Sequence, residues 1–110
     1  MKKILIALII CLSLCGCSTK KESFDLKKIM AENEYTIIDV RTKEEYNQGH
    51  LKDALNIPYD QLDNSFEKDK VIFVYCRSGA RSKVAYDTLK NMGYTVYDLG
   101  AFESIDLPKE

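Results

Sequence analysis

The sequence predicts an α/β domain with a central, mostly parallel β-sheet flanked by helices on both faces. Three observations lead to this prediction. The β-branched apolar segments are short and continuous, which is typical of strands buried on both faces. Segments with helical spacing of apolar residues alternate with them. Finally, 110 residues that are 45% hydrophobic can form one compact core but are too few for two domains of ordinary size.

The first helix and the first strand are predicted in the segment 25–40. Apolar side chains three and four positions apart predict a short amphipathic helix over 25–31, capped by Ser23 or Asp25. A β-branched apolar run over 35–40 then predicts a buried strand.

The middle of the chain is predicted to form short elements. Thr42 and Glu45 have the spacing of a capping box, so a helix is expected over 43–48. An apolar segment over 54–57 predicts a short strand, and one or two helical turns are expected within 60–66.

The second half of the domain contains the strongest strand signal. The run 71–75 is continuously apolar, so this strand is expected at the centre of the sheet. A helix over 82–92 and a strand over 94–99 follow. The apolar face expected for this helix comprises Val84, Ala85, Leu89 and Met92. Ligands of parallel sheets bind beyond the carboxyl ends of the strands, and Cys76 lies at such an end.

The loop 76–82, Cys-Arg-Ser-Gly-Ala-Arg-Ser, connects the predicted central strand to the next helix. Its helix N-terminus and its backbone N–H groups, turned inward by a bend at Gly79, both favour a negative charge on sulfur. The guanidinium groups of Arg77 and Arg81 add to this effect. We therefore expect the pKa of the Cys76 thiol to lie below the free value of about 8.5. A core cysteine would lie within a strand or a helix face, so this one is predicted to be a nucleophile.

The segment 76–82 resembles the active loop of the single-domain rhodaneses, a sulfurtransferase family in which it commonly reads Cys-Arg-Ser-Gly-x-Arg-Ser. Further matching segments are 38–41 (Ile-Asp-Val-Arg), 45–51 (Glu-Tyr before Gly-His-Leu) and 54–58 (Ala-Leu-Asn-Ile-Pro). The sequence departs from the family at Lys52-Asp53, where Pro-Gly is usual, and at 99–102, where a Gly-Gly pair and a later Trp are common. The resemblance implies a three-layer rhodanese-like fold for 24–110.

The resemblance also implies a ping-pong transfer of sulfur. Cys76 would attack the outer sulfur of an anionic donor such as thiosulfate, release sulfite and hold the sulfur as a persulfide. A thiol or cyanide would then accept it, with no metal or organic cofactor. The residues expected to bind substrate are Arg77, Ser78, Gly79, Ala80, Arg81 and Ser82. His50, Asp39 and Arg41 are expected to be structural, and Tyr75 is a candidate for the border of the pocket.

Two other functions are alternatives to sulfur transfer. Phosphatases and arsenate reductases have related loops of the pattern Cys-x5-Arg, but Cys76 and Arg81 are separated by only four residues. This shorter loop favours attack on sulfur. The domain can instead be a binding module that captures sulfide, polysulfide or a partner protein without turnover.

The N-terminal residues predict export rather than structure. Residues 1–16 combine a positively charged start with an apolar run, 4–14, that is too short to span a bilayer, for which about 20 residues are needed. The run ends in Leu-Cys-Gly-Cys, which resembles a bacterial lipobox and makes Cys17 the expected lipidation site. An uncleaved signal anchor or a soluble secreted product is the alternative. After cleavage, 17–23 is a tether and Cys76 is the only free thiol.

The predicted partners follow from these features. They are a small anionic sulfur donor, a thiol or cyanide acceptor and, through the lipid on Cys17, the extracytoplasmic face of a bacterial membrane. The net charge of −1 and the absence of a basic block give no indication of nucleic-acid binding, and a monomer is expected.

Overall fold

Residues 24–110, which the computed structural model of the protein describes, alternate between strands and helices. In chain order the elements are α1 (Leu26–Glu32), β1 (Tyr35–Asp39), α2 (Lys43–Asn47), β2 (Leu55–Asn56), β3 (Val71–Cys76), α3 (Ala80–Asn91) and β4 (Thr95–Ala101), followed by a 3-10 helix over Phe102–Ser104. The predicted signal peptide 1–16, the lipidation site Cys17 and the tether 17–23 lie outside the described residues. Within 24–110, no helix has the length and apolarity needed to cross a bilayer.

The four strands form one parallel sheet in the order β2-β1-β3-β4. This confirms the predicted parallel sheet, and β3 lies inside it with every residue buried. Because parallel strands end at the same edge, Asp39 at the end of β1 and Cys76 at the end of β3 lie at the same carboxyl edge.

Helices cover both faces of the sheet. On one face, Ala85 and Leu89 of α3 pack against the core that contains Val74 and Cys76. On the other face, apolar side chains of α1 pack against the core around Phe73. Full burial of a Leu or Phe side chain contributes about 1.5–3 kcal/mol. The sheet is therefore held between two apolar layers, as the three-layer prediction requires.

The helix N-terminal caps agree with the sequence patterns. Of the two candidate caps for α1, the structure uses Asp25, whose carboxylate accepts a hydrogen bond from the Lys28 N–H at 3.3 Å. At α2, the reciprocal capping box between Thr42 and Glu45 is present.

Two predictions about helices are wrong. Residues 60–66 form bends and turns instead of helical turns, because the Asp63 carboxylate accepts hydrogen bonds from the Ser65 N–H (3.1 Å) and hydroxyl (2.6 Å). Such local bonds compete with a helix for the backbone. Val84 is 47% exposed and not part of the buried face of α3, which comprises Ser82, Ala85 and Leu89.

The turn at Lys52-Asp53 keeps the shape that Pro-Gly would favour. The Leu51 carbonyl accepts a hydrogen bond from the Ala54 N–H at 3.1 Å, which closes a four-residue turn. Asp53, the third residue of that turn, has a φ of 67°, in the left-handed region that glycine favours and that aspartate tolerates. The departure from the family sequence therefore leaves the turn in place.

Candidate functional site

Cys76 is the last residue of β3, and the loop reverses the chain into α3 within three residues. Its side chain is fully buried in the core that contains Val74, so Cys76 lies within the strand and not, as the sequence suggested, beyond its end. Gly79 is the N-cap of α3 and has a φ of 104°, a left-handed conformation that costs other residues free energy. A Cβ atom at Gly79 would meet nothing within 4 Å, so backbone conformation, not space, favours glycine there.

The sulfur of Cys76 is surrounded by hydrogen-bond donors of its own loop. The Gly79 N–H donates to Sγ at 2.9 Å and the Ser82 N–H at 3.3 Å, and the Ser82 hydroxyl lies 3.6 Å away. Burial opposes ionisation, but the hydrogen bonds from Ser82, Gly79 and the Ser78 N–H outweigh it and lower the pKa of the Cys76 thiol. The pKa of the Cys76 thiol is thus lowered, as the sequence predicts, first by the hydrogen bond with the Ser82 hydroxyl and then by backbone N–H groups of the loop.

The Ser82 hydroxyl has two possible acceptors, because it also lies 3.1 Å from the Gly79 carbonyl. When Cys76 is a thiol, its S–H donates to Ser82 Oγ and the serine O–H donates to the Gly79 carbonyl. When Cys76 is a thiolate, a rotation of the hydroxyl directs the same proton to sulfur. The site thus adjusts to either protonation state by turning one bond.

The side chain of Arg81 points to Glu45 and forms a two-pronged ion pair with it. The two Nη atoms lie 2.8 and 3.0 Å from the carboxylate oxygens. This contact, assisted by bonds from Thr42, lowers the pKa of Glu45 to about 2, although partial burial opposes ionisation. Arg81 therefore fastens the first turn of α3 to α2, and its guanidinium is already neutralised by a carboxylate.

Asp39 and Arg41 form a buried ion pair beneath the site, with Arg41 Nη2 2.6 Å from the Asp39 carboxylate. The same Nη2 donates to the Gly49 carbonyl at 2.7 Å. The Tyr75 hydroxyl donates to Asp39 at 2.8 Å and accepts from the Leu51 N–H at 3.0 Å. Burial raises the pKa of Tyr75, so the hydroxyl keeps its proton for this bond. These residues form a structural network, and Tyr75 is buried beneath the site without lining its cavity.

His50 is also bound within the structure. Its Nδ1 lies 2.8 Å from the Leu51 carbonyl, and its ring stacks on Tyr46 with centroids 3.9 Å apart. A histidine held in this way has a structural role, as the sequence predicts.

A β-bulge shapes the chain after β4. Val74 pairs with Asp98 and Tyr75 with Gly100, so Leu99 is an extra residue in β4. The bulge is stabilised by the Asp98 carboxylate, which accepts a hydrogen bond from the Gly100 N–H at 2.9 Å. It leads the chain into the 3-10 helix that borders the site.

An open cavity of about 430 Å³ lies beside the loop 76–82. The residues that line it are Arg41, Glu45, Gln48, Gly49, Arg77, Ser78, Phe102 and Glu103. The Arg41 guanidinium lies over the Phe102 ring, 4.5 Å from the centroid of that ring. The buried Cys76 is not itself among the residues that line this cavity, which is reached through its neighbours Arg77 and Ser78. Two other cavities of similar size, about 470 and 440 Å³, are lined by residues outside the loop 76–82.

The predicted substrate-binding residues occupy three different positions. Arg77 and Ser78 are exposed and line the cavity, whereas Gly79 and Ser82 donate to the sulfur of Cys76. The other two residues are in the first turn of α3: Ala80 is exposed, and Arg81 is paired with Glu45. Their role in binding substrate remains a prediction.

The sequence did not identify Glu45, Gln48, Phe102 and Glu103 as site residues. Glu45 had a visible signal, the capping box, but its contact to Arg81 joins residues 36 positions apart. Residues 24–110 contain no cluster of three His, Cys, Asp or Glu side chains arranged to bind a metal ion.

The fold and the site together define a parallel α/β domain with a buried cysteine at the end of its central strand, surrounded by the N–H donors of a strand-to-helix loop. Comparison with known proteins identifies the family. The pattern of the rhodanese-like domain matches residues 24–105. This chain belongs to the rhodanese-like domain family.

Individual relatives agree with that assignment. The thiosulfate sulfurtransferase PspE of Escherichia coli (strain K12) is 37% identical over 78 residues, which cover 66% of this chain and 75% of PspE. A sulfurtransferase of Allochromatium vinosum is 36% identical over 77 residues, covering 66% of this chain and 72% of that protein. A solved structure of a rhodanese with anions from E. coli matches with a TM-score of 0.65 at 34% identity, covering 69% of this chain and 96% of the other.

Proposed function

We propose that this protein is an enzyme that transfers a sulfane sulfur from an anionic donor such as thiosulfate to a thiol or cyanide through a persulfide on Cys76. One observation carries the proposal: the Cys76 sulfur accepts hydrogen bonds from Gly79 and Ser82 at the end of the central strand. These bonds stabilise the thiolate that a nucleophilic attack requires.

In the first half-reaction, the Cys76 thiolate attacks the outer sulfur of thiosulfate. A new S–S bond forms to Cys76, the S–S bond of thiosulfate breaks, and sulfite leaves with the electron pair of that bond. One proton taken up from solvent gives the neutral persulfide. Loop N–H groups that bind the thiolate are well placed to stabilise charge on the transferred sulfur as well.

In the second half-reaction, cyanide or a thiolate attacks the outer sulfur of the persulfide. The S–S bond breaks and Cys76 leaves as a thiolate. The product is a new persulfide, which keeps the proton, or thiocyanate, whose proton is released to solvent. Because sulfur moves from one nucleophile to another, no external oxidant or reductant is needed.

The structure also bears on the phosphatase or arsenate reductase alternative. The loop places only four residues between Cys76 and Arg81, and the Arg81 guanidinium is bound to Glu45 instead of being available for an oxyanion. Both observations favour sulfur transfer. Phosphatase activity that exceeds thiosulfate:cyanide sulfurtransferase activity in one preparation would reverse this order.

The persulfide is tested by intact-protein mass spectrometry after treatment with thiosulfate. We expect a gain of one sulfur atom, about 32 Da, that cyanide removes. Cys76→Ser should fold and show no gain. Ser65→Cys in the Cys76→Ser background is the matched control, because it supplies an exposed thiol without the loop, and it too should show no gain. A gain on Cys76 that cyanide cannot remove would indicate a binding or storage module, and transfer by Cys76→Ser would exclude Cys76 as the carrier.

For the N-terminal region, we propose acylation of Cys17 and anchoring on the extracytoplasmic face of a bacterial membrane. The support is the apolar run followed by Leu-Cys-Gly-Cys at 14–17. Cys17→Ala should lose the lipid, whereas the control Cys15→Ala should stay acylated in the membrane fraction. If Cys17→Ala remains membrane-bound without a lipid, the N-terminal segment is an uncleaved anchor.

A further inference from the structure

The cavity beside the active loop contains charged groups of both signs. Two of its four charged side chains are neutralised within the structure, Arg41 by Asp39 and Glu45 by Arg81. The other two are Arg77 from the loop and Glu103 from the 3-10 helix, both exposed. Among residues 24–110, neither forms an ion pair or a side-chain hydrogen bond. One cation and one anion of this cavity are thus available to a ligand.

An anionic sulfur donor accounts for only part of this arrangement. Thiosulfate carries two negative charges, which a neighbouring carboxylate repels, so Glu103 has no favourable role toward the donor. The volume of about 430 Å³ is within the range of about 300–1000 Å³ that is typical of sites for small organic ligands. A single tetrahedral anion fills only a small part of it.

We propose that the cavity binds the sulfur acceptor and that this acceptor is a zwitterionic thiol, such as a cysteine-containing amino acid or small peptide. Arg77 pairs with the carboxylate of the acceptor and Glu103 with its ammonium group. This inference rests on the proposed persulfide on Cys76 and extends it to the second half-reaction.

The chemistry of this step is balanced without a further reactant. The acceptor thiolate attacks the outer sulfur of the Cys76 persulfide, a new S–S bond forms on the acceptor, and the bond to Cys76 breaks. Cys76 leaves as a thiolate, and the proton of the persulfide remains on the transferred sulfur. Arg77 and Glu103 take no part in bond making. Their role is to bind the charged groups of the acceptor and thereby to select it.

The test separates the two charges of the acceptor. The full-length protein is loaded with thiosulfate and freed of excess donor, and the rate of persulfide discharge is followed by mass spectrometry. The acceptors are 3-mercaptopropionate (carboxylate only), cysteamine (ammonium only), cysteine (both) and 2-mercaptoethanol (neither). Each variant is compared with the parent protein for the same acceptor, so differences in intrinsic thiol reactivity cancel.

We expect each variant to slow only those acceptors that carry the charged group with which the replaced side chain pairs. Arg77→Gln should slow discharge by 3-mercaptopropionate and cysteine roughly three- to five-fold and leave cysteamine unaffected, as expected for partly exposed ion pairs. Glu103→Gln should slow cysteamine and cysteine by a similar factor and leave 3-mercaptopropionate unaffected. Neither variant should alter 2-mercaptoethanol. Because solvent ions screen exposed pairs, both effects should disappear near 1 M salt.

Lys28→Gln and Glu32→Gln are the matched controls, because they remove the same charges from exposed positions on α1, away from the cavity. They should leave every discharge rate unchanged. Equal effects of Arg77→Gln on all four acceptors, or no effect of Glu103→Gln on cysteamine, would overturn the inference. Failure of the proposed function looks different, since no persulfide would then form on Cys76 in the loading step.

Discussion

Replacement of Glu45 by Gln tests the connection between α2 and the active loop. Glu45 has two structural roles: it completes the capping box of α2 with Thr42, and it binds both Nη atoms of Arg81 in the first turn of α3. Gln keeps the size and one acceptor oxygen but removes the charge. The variant therefore removes the charge together with one of the two hydrogen bonds from Arg81.

The magnitude follows from the pKa of Glu45, which falls from 4.5 to about 2 on folding, mainly through the hydrogen bond from Arg81. One pKa unit corresponds to about 1.4 kcal/mol, which sets an upper limit of about 3 kcal/mol. The side chains of Arg81 and Glu45 are 28% and 22% exposed, so solvent screens part of the attraction. We expect Glu45→Gln to lower the free energy of unfolding at pH 7 by about 1–2 kcal/mol.

The pH dependence has a defined sign. Since the folded-state pKa lies below the unfolded value, the ionised carboxylate of Glu45 stabilises the fold above pH 4.5, and this contribution is lost as the pH falls toward about 2.

Urea unfolding of the parent protein and of Glu45→Gln at pH 7, 4 and 3 measures this effect. The difference between them should shrink as the pH falls. Glu44→Gln is the matched control, because Glu44 is also in the first turn of α2 but is exposed. A difference that is absent at pH 7, or constant down to pH 3, would refute the reasoning.

Four further substitutions test the loop and the core. Ser82→Ala removes a donor to sulfur, so the pKa of Cys76 should rise and the pH midpoint of alkylation by iodoacetamide should move upward; an unchanged midpoint contradicts this. Tyr75→Phe removes the acceptor of the buried Leu51 N–H, so the free energy of unfolding should fall by about 1–3 kcal/mol in urea titrations. Leu89→Ala should lower the free energy of unfolding by about 2–5 kcal/mol. Val84→Ala, at a half-exposed position, should change it by no more than about 0.5 kcal/mol. Equal losses would contradict the placement of Leu89 in the core.

The parallel sheet could be predicted because its cause is local in sequence. The run 71–75 is apolar at every position, and such a strand is stable only when both of its faces are covered. The position of Cys76 followed from the same pattern, since a strand directly before a helix places the connecting residue at the carboxyl edge. The lowered pKa of Cys76 could also be predicted, because the groups responsible, the Ser82 hydroxyl and the backbone N–H groups of the loop, lie within six residues of it.

The remaining features of the site depend on contacts that are distant in sequence. Arg81 appeared to be a free cation, and only the folded arrangement of α2 and α3 brings Glu45 to it. Arg77 and Glu103 line the same cavity. Glu103 lies there because the bulge in β4 leads the chain into the 3-10 helix that borders the site, and no periodic sequence pattern reveals a bulge. The error at 60–66 had a local cause, since the Asp63 side chain captures the backbone that a helix would need.

The burial of the Cys76 sulfur limits the access of other thiols and of bulky oxidants to it. A disulfide between two copies of the chain requires their Cα atoms to approach within about 4.4–6.8 Å. The last residue of a central strand, with a fully buried side chain, cannot come that close to another copy in this fold. Bulky oxidants are kept from the buried sulfur in the same way. Burial therefore disfavours pairing of Cys76 with another cysteine, which is the common outcome for free thiols in oxidising environments.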